Sequence, residues 1–326
     1  MPKSKFKETL FVTGGLGFIG SNYLNIFVPK NLGVRYVNID CLTKVGSVSN
    51  IKVSSCLNYA WEKVDVRNYK KLQKLFVKYR PSGLIHFAAE THVDVSIQNP
   101  QLFIDTNVTG THNLLVLSLK YGLRRFLQVS TDEVYGALES GPGRFSERSP
   151  LAPNNPYSAS KAAAEMLARS YYKTYRLPVV ITRASNTYGP NQDKTKLLPL
   201  FITNLLKGIK VPLYGKGLQR REWLYVDDHA RAIDLVYRHG KSGEVYNIGG
   251  STELTNLALT KKLLSLTDRN TSFIKYVPDR LGHDFRYALN CSKIKRELGW
   301  KPRILFKNGL KTTHEFYLRG ADAGRA

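Results

Sequence analysis

Acidic residues are scarce in this chain: 25 Asp and Glu stand against 49 Lys and Arg in 326 residues, a formal charge of +24. Such a surplus attracts anions, so phosphorylated small molecules, nucleic acid and acidic membrane surfaces are all compatible on charge alone. The basic residues are dispersed, with no run longer than two, as at Arg220-Arg221 and Lys261-Lys262. Dispersal favours a solvated cationic surface over a nucleic-acid stripe. Cysteine is scarcer still. Cys41, Cys56 and Cys291 are odd in number, far apart and without Cys-x-x-Cys, which excludes a disulfide framework and suits reduced thiols. The seven histidines form no ligand-spaced cluster, so no metal is expected. No apolar run approaches the ~20 residues of a membrane span, and residues 1–8 lack a signal-peptide core. A soluble cytoplasmic protein is expected, with 42% hydrophobic content and room for one large or two moderate domains.

What is present begins with a short apolar run, 9–13, and then Gly14-Gly15-Leu16-Gly17-Phe18-Ile19-Gly20 opening a helical pattern. Glycines at 14, 17 and 20 let a turn tighten, let backbone approach a pyrophosphate and let the helix pack on the strand. A second strand pattern, 34–39, ends in Asp40, twenty residues past Gly20. A carboxylate there accepts hydrogen bonds from a ribose diol and repels a 2′-phosphate, which points to NAD; nearby Lys44 keeps NADP open. Asp65 and Val66 follow a strand-like stretch, 59–64, and suit the adenine edge. Residues 82–90 form another strand and then the small residues Ala88 and Ala89. Helical periodicity covers 100–121. Apolar strands alternating with helices over short connections predict an α/β, Rossmann-type doubly wound parallel sheet. After Arg183 the texture becomes turn-rich and then mixed. A dinucleotide-binding domain is expected over 1–183 plus about 223–252, and a smaller α+β substrate-binding domain over about 184–222 plus 253–326. Residues 320–326 read as a frayed tail.

The chemistry concentrates between 130 and 161. A strand pattern, 126–130, presents Thr131, Asp132 and Glu133 at its C-terminal end, where open α/β sheets bind ligands. Tyr157-Ser158-Ala159-Ser160-Lys161 follows. On a helix, Tyr157 and Lys161 share a face. A phenol of pKa about 10 becomes a base near neutrality only with roughly 4 kcal/mol of differential stabilisation, which a neighbouring ammonium and a cationic nicotinamide ring can supply.

These motifs, with Ser185 to Pro190, Arg221-Glu222-Trp223 and the run from Tyr276 to Asp284, resemble the dTDP-glucose 4,6-dehydratases of the extended short-chain dehydrogenase/reductases, over about residues 8–318. The glycine turn and Tyr-x-x-x-Lys belong to the whole superfamily; Thr-Asp-Glu narrows the resemblance. It implies a hydro-lyase with Tyr157 as base at the C4 hydroxyl, Glu133 as base at C5, Asp132 as acid at the C6 hydroxyl, Thr131 holding the C4 oxygen and Lys161 beside Tyr157. It implies NAD contacts at Gly14, Gly17, Phe18, Ile19, Gly20, Asp40, Cys41, Leu42, Thr43, Asp65, Val66, Ala88, Ala89, Glu90, Thr106, Tyr157 and Lys161. Contacts to a nucleotide-diphosphate hexose are implied at Thr91, Thr131, Asp132, Glu133, Asn186, Lys196, Leu197, Arg221, Asn256, Asp279, Arg280 and His283. Guanidinium groups at Arg221 and Arg280 suit a diphosphate; the competing reading pairs Arg221 with Glu222 at the surface. The family is commonly homodimeric through helices at 100–121 and 154–175. This chain departs from its pattern at Lys44, Val95, Thr187 and 192–195, positions that bear on which nucleotide and sugar fit. A UDP-hexose dehydratase, a 4-epimerase and a non-catalytic NAD protein with a polyanion-binding surface are the alternatives; the paired Asp132 and Glu133 argue against the epimerase, and the dispersed charge argues against the polyanion-binding protein.

Overall fold

A computed structural model describes residues 6–279 and 283–322. The first half builds β1 (Glu8–Thr13), α1 (Phe18–Phe27), β2 (Val34–Ile39), β3 (Tyr59–Glu62), α2 (Tyr69–Tyr79) and β4 (Gly83–His86). Next come α3 (Val93–Gln98), α4 (Pro100–Phe103), a π-helical turn (Ile104–Thr109), α5 (Gly110–Lys120), β5 (Arg125–Thr131), α6 (Pro156–Tyr175) and β6 (Val179–Ala184). The remainder holds β7 (Asn186–Tyr188), α7 (Leu197–Leu206), β8 (Val211–Tyr214), β9 (Arg220–Tyr225), α8 (Val226–His239) and β10 (Val245–Ile248). It ends in β11 (Thr252–Thr255), α9 (Asn256–Leu266), β12 (Ile274–Val277), α10 (Ser292–Leu298) and α11 (Phe306–Asp322).

Seven strands form one sheet in the order β10-β6-β5-β4-β1-β2-β3, every pair parallel. The doubly wound sheet expected from the sequence is therefore the fold. Its strands are apolar nearly throughout because helices cover both faces. Successive side chains part to opposite sides: Leu10, Val12 and Tyr36 enter one core with Tyr23 of α1 and Ile233 of α8. Phe11, Val37 and Ile39 enter the other with Phe76 of α2 and Leu114 of α5. From β1 the chain winds outward to β2 and β3, then returns to β4 on the other flank, and this reversal opens a crevice at the strands' C-terminal ends. A second sheet, β11-β9-β7, and the pair β12-β8 build a smaller lobe around Phe201, Trp223 and Leu263. Past β9, α8 and β10 return to the large sheet.

Two expectations change. The pattern over 100–121 is not one regular helix, because residues 104–109 wind as a π turn around Asn107. Such turns recur where a helix must present a side chain at a site. The tail also starts later than expected, since α11 continues to Asp322. Residues 323–326 of that tail lie outside the described residues.

Candidate active site

A cavity of about 310 Å³ occupies the crevice, within the size range of small-molecule sites. Gly14 sits at φ +71°, and a Cβ there would lie 2.6 Å from the backbone nitrogen of Ala88. A Cβ on Gly20 would lie 2.4 Å from the Gly14 carbonyl. The turn thus packs backbone on backbone, leaving the N-terminus of α1 open to the cavity. Gly14, Gly17, Phe18, Ile19 and Gly20 all line it, as do Asp40, Cys41, Thr43, Asp65 and Val66. Ala88, Ala89, Glu90 and Thr106 complete that wall. Leu42 does not reach it: its side chain packs on the core while its N–H donates to Asp40 Oδ1 at 2.8 Å. Asp40 Oδ2 accepts from the Leu16 N–H at 2.9 Å, and burial raises the carboxyl's pKa against those two bonds.

The other wall brings together Thr131, Asp132, Glu133, Tyr157 and Lys161. Thr131 ends β5, and its Oγ1 accepts from the Glu133 N–H at 3.3 Å, capping a short 3₁₀ turn that swings both acids inward. Asp132 is 2% exposed and its Oδ2 has no hydrogen-bond partner among the described residues. Burial first, then the charges of Glu133 and Glu222, raise its pKa well above the carboxylate range, with Arg221 acting in the opposite sense. Asn155 and Ser158 form a capping box that starts α6 at Pro156, so Tyr157 and Lys161 project from its first turns. Lys161 Nζ donates to the Val129 carbonyl at 2.7 Å, and burial lowers its pKa to about 8. Burial and then Glu133 raise the Tyr157 phenol, opposed by its hydrogen bond with Thr131. Arg183 is structural: buried, it forms a bidentate pair with Glu165 at 2.6–3.2 Å, tying β6 to α6.

Of the sugar-nucleotide residues, Thr91, Asn186 and Lys196 line the cavity, and Lys196 Nζ donates to the Thr91 carbonyl at 2.7 Å. Leu197, Arg221, Asn256, Asp279 and His283 lie off its lining, and Arg280 falls outside the described residues. The surface pairing of Arg221 with Glu222 is absent. Arg221 is buried, stacks 4.5 Å over the Tyr287 ring and donates to the Asp284 carbonyl at 2.9 Å. Glu222 faces the other way, bonded to Arg144 and to the N–H groups of Ser251 and Leu289, each at 3.1 Å. Asp279 accepts from Gln219 at 2.6 Å and lies 2.6 Å from His283 Nδ1, while the Gln219 carbonyl accepts from the Asn256 N–H. These groups form a second polar cluster on the small lobe, close enough for Arg221 to act on Asp132.

Sequence reasoning missed several groups. Asn107 clamps both backbone groups of Glu90, at 2.8 and 3.0 Å, and donates to Ser160 Oγ at 2.8 Å. Ser130, Ser185 and His229 also line the cavity, as does Thr187, which the sequence marked only as a departure from the family pattern. The signal available for the two serines was position, each standing at the C-terminal end of a central strand; nothing local marked His229.

A dinucleotide fits this cavity on its own terms. The glycine cradle has no room for a Cβ, and buried Ser130 Oγ, Ser185 Oγ and Asp132 Oδ2 have no hydrogen-bond partner among the described residues, which buried polar atoms rarely tolerate. The family described as GDP-mannose 4,6 dehydratase matches residues 11–313. A dTDP-glucose 4,6-dehydratase from Streptomyces niveus is 44% identical over 94% of this chain and 92% of its own length. A crystal structure of that enzyme from Streptomyces venezuelae, with NAD and TYD bound, superposes with a TM-score of 0.93 at 43% identity, covering 97% of this chain and 98% of the other. The Bacillus anthracis enzyme in complex with NAD gives 0.90 at 44% identity, with the same coverage. Matches of this extent, on a parallel sheet whose crevice gathers a glycine turn, Thr-Asp-Glu and Tyr-x-x-x-Lys, show that the chain belongs to the dTDP-glucose 4,6-dehydratase family.

Proposed function

We propose that this chain is an NAD-dependent hydro-lyase that converts dTDP-glucose to dTDP-4-keto-6-deoxy-glucose and water. The observation that carries the reading is the Asp132-Glu133 pair on the cavity wall beside Tyr157, with Asp132 buried so that its carboxyl favours the protonated form. NAD, held at the glycine turn and Asp40, would supply a reversible hydride acceptor for C4 and donor for C6. Tyr157 would take the C4 hydroxyl proton, its phenol, raised by burial and Glu133, needing the positive nicotinamide ring and the Lys161 ammonium to bring it into range, and Thr131 would share the charge on that oxygen. The resulting ketone acidifies C5–H. Glu133 then removes that proton while Asp132 protonates the departing C6 hydroxyl; an acid and a base at adjacent positions need environments that separate their pKa values. Arg221 and the Asp279-His283 pair face the nucleotide diphosphate from the small lobe, formed by about 184–222 and 253–326.

Exposed Ile104, Leu119, Met166 and Tyr175 on the 100–121 and 154–175 helices support a homodimer through that face. The three free cysteines suit a reducing cytoplasm. The test of function is incubation with dTDP-glucose and, separately, UDP-glucose, reading the alkali-induced absorbance of a 4-keto sugar and the loss of one water by mass. Product from dTDP-glucose is expected; unchanged sugar in both incubations sinks the proposal.

A further inference from the structure

One buried imidazole at the cavity is unused by this chemistry. His229, in the first turn of α8, is 1% exposed, lines the cavity and has no hydrogen-bond partner at Nε2 among the described residues. Its Nδ1 lies 2.8 Å from Thr187 Oγ1. Burial lowers its pKa to about 3, so the ring is neutral near pH 7 and carries a single N–H. Thr187 Oγ1 also donates to the Ser185 carbonyl at 3.2 Å. A hydroxyl has one proton. Spent on that carbonyl, it leaves the oxygen to accept from Nδ1–H, and Nε2 becomes a bare acceptor facing the cavity. A buried acceptor left unmet is costly, so the site is built for a donor.

Sheet position identifies the donor. From the glycine turn above β1, a dinucleotide runs its adenosine toward β2 and Asp40, and its nicotinamide toward β4, β5 and β6. Ser185 follows β6, and Thr187 lies in β7 directly after it, so the imidazole stands at the nicotinamide half. The ring's only N–H donor is its carboxamide amine. We propose that His229, oriented by Thr187, accepts a hydrogen bond from the nicotinamide carboxamide amine and thereby selects which face of the ring meets the sugar. This rests on the cavity being an NAD site, as proposed above, and not on the dehydration steps.

The experiment measures Kd for NAD and for its 3-acetylpyridine analogue, in which a methyl group replaces the amine. Wild type should bind NAD about tenfold more tightly than the analogue, the worth of one neutral hydrogen bond. His229→Asn, whose amide reaches the Nδ1 position but not Nε2, should lose about that factor for NAD and little for the analogue. His229→Gln, which reaches the Nε2 position, should restore most of it. Equal binding of the two dinucleotides by wild type, or equal weakening of both in His229→Asn, overturns the assignment. If that variant does not fold, Thr187→Val decides in its place: loss confined to NAD supports the dyad and equal loss removes it. Protein that passes these tests yet leaves dTDP-glucose unchanged sinks the proposed function and leaves His229 in place.

Discussion

The cofactor wall and the small lobe both present polar groups to one crevice, but they hold them over different ranges of sequence. On the wall the groups follow the end of a strand or open a helix, and several bonds are short-range: Thr131 caps Glu133, and Asp40 holds the Leu42 N–H, while Asp40 to Leu16 and Lys161 to Val129 are the longer ties. In the lobe the partners are distant. Arg221 rests on the Asp284 carbonyl, Asp279 on Gln219, and Asn154 reaches Asp284 at 2.6 Å. Groups fixed by the sheet can hold reacting atoms in place, whereas groups fixed by loop packing can change with the ligand. On the proposed function, chemistry would belong to the wall and recognition to the lobe.

The largest effect should come from Glu133→Gln, which keeps shape and removes the base. General-base loss typically costs about 10²–10⁴-fold, and it should fall on dehydration while partial NADH formation survives, read at its absorbance in single turnover. Dehydration at the parental rate would free Glu133 of this role. Gly14→Ala comes next. The new Cβ meets Ala88 backbone, and φ +71° costs a non-glycine residue roughly 1–2 kcal/mol, so NAD affinity should fall by about tenfold or more. An unchanged Kd in titration would show that the turn is not the cradle. Arg221→Lys probes the lobe: the ammonium keeps charge but loses the planar fork, and KM for the sugar nucleotide should rise roughly tenfold, the order of one charge-assisted bond, with kcat little altered. A matching fall in kcat would erase the division between wall and lobe.

The same difference in range explains what was legible in the chain. Strand periodicity and the glycines declared the parallel sheet, and strand-end positions declared Asp40, Thr131 and Asp132, because a strand's terminus is a local event. The small lobe was harder. Glu222 adjoins Arg221 in sequence, yet strand alternation sends the two side chains to opposite faces of β9, and the partner of each lies in a segment that no local pattern names. Asn107 was hidden inside a helical period that the π turn interrupts. His229 sits in a well-formed amphipathic helix, and only the meeting of α8 with β7 makes it part of the cavity.

The smallest predicted effect concerns stability, and it separates the roles of the two acids. The folded protein holds Asp132 at a raised pKa, so above the ordinary value of about 3.9 the folded state binds a proton that the unfolded chain has released. Stability then falls as pH rises through the window from that ordinary value up to the raised one, and the full penalty is carried above it. Asp132→Asn has no proton to lose and escapes the penalty. Its melting temperature should match wild type near pH 4 and exceed it by about 2–4 °C at pH 8, the shift expected for roughly 1 kcal/mol in a domain of this order, while dehydration collapses. Scanning calorimetry of both proteins across that range gives the comparison. A difference that stays flat or shrinks with rising pH would mean that Asp132 ionises in the fold without penalty, and with that its fitness as the acid at C6 would be lost.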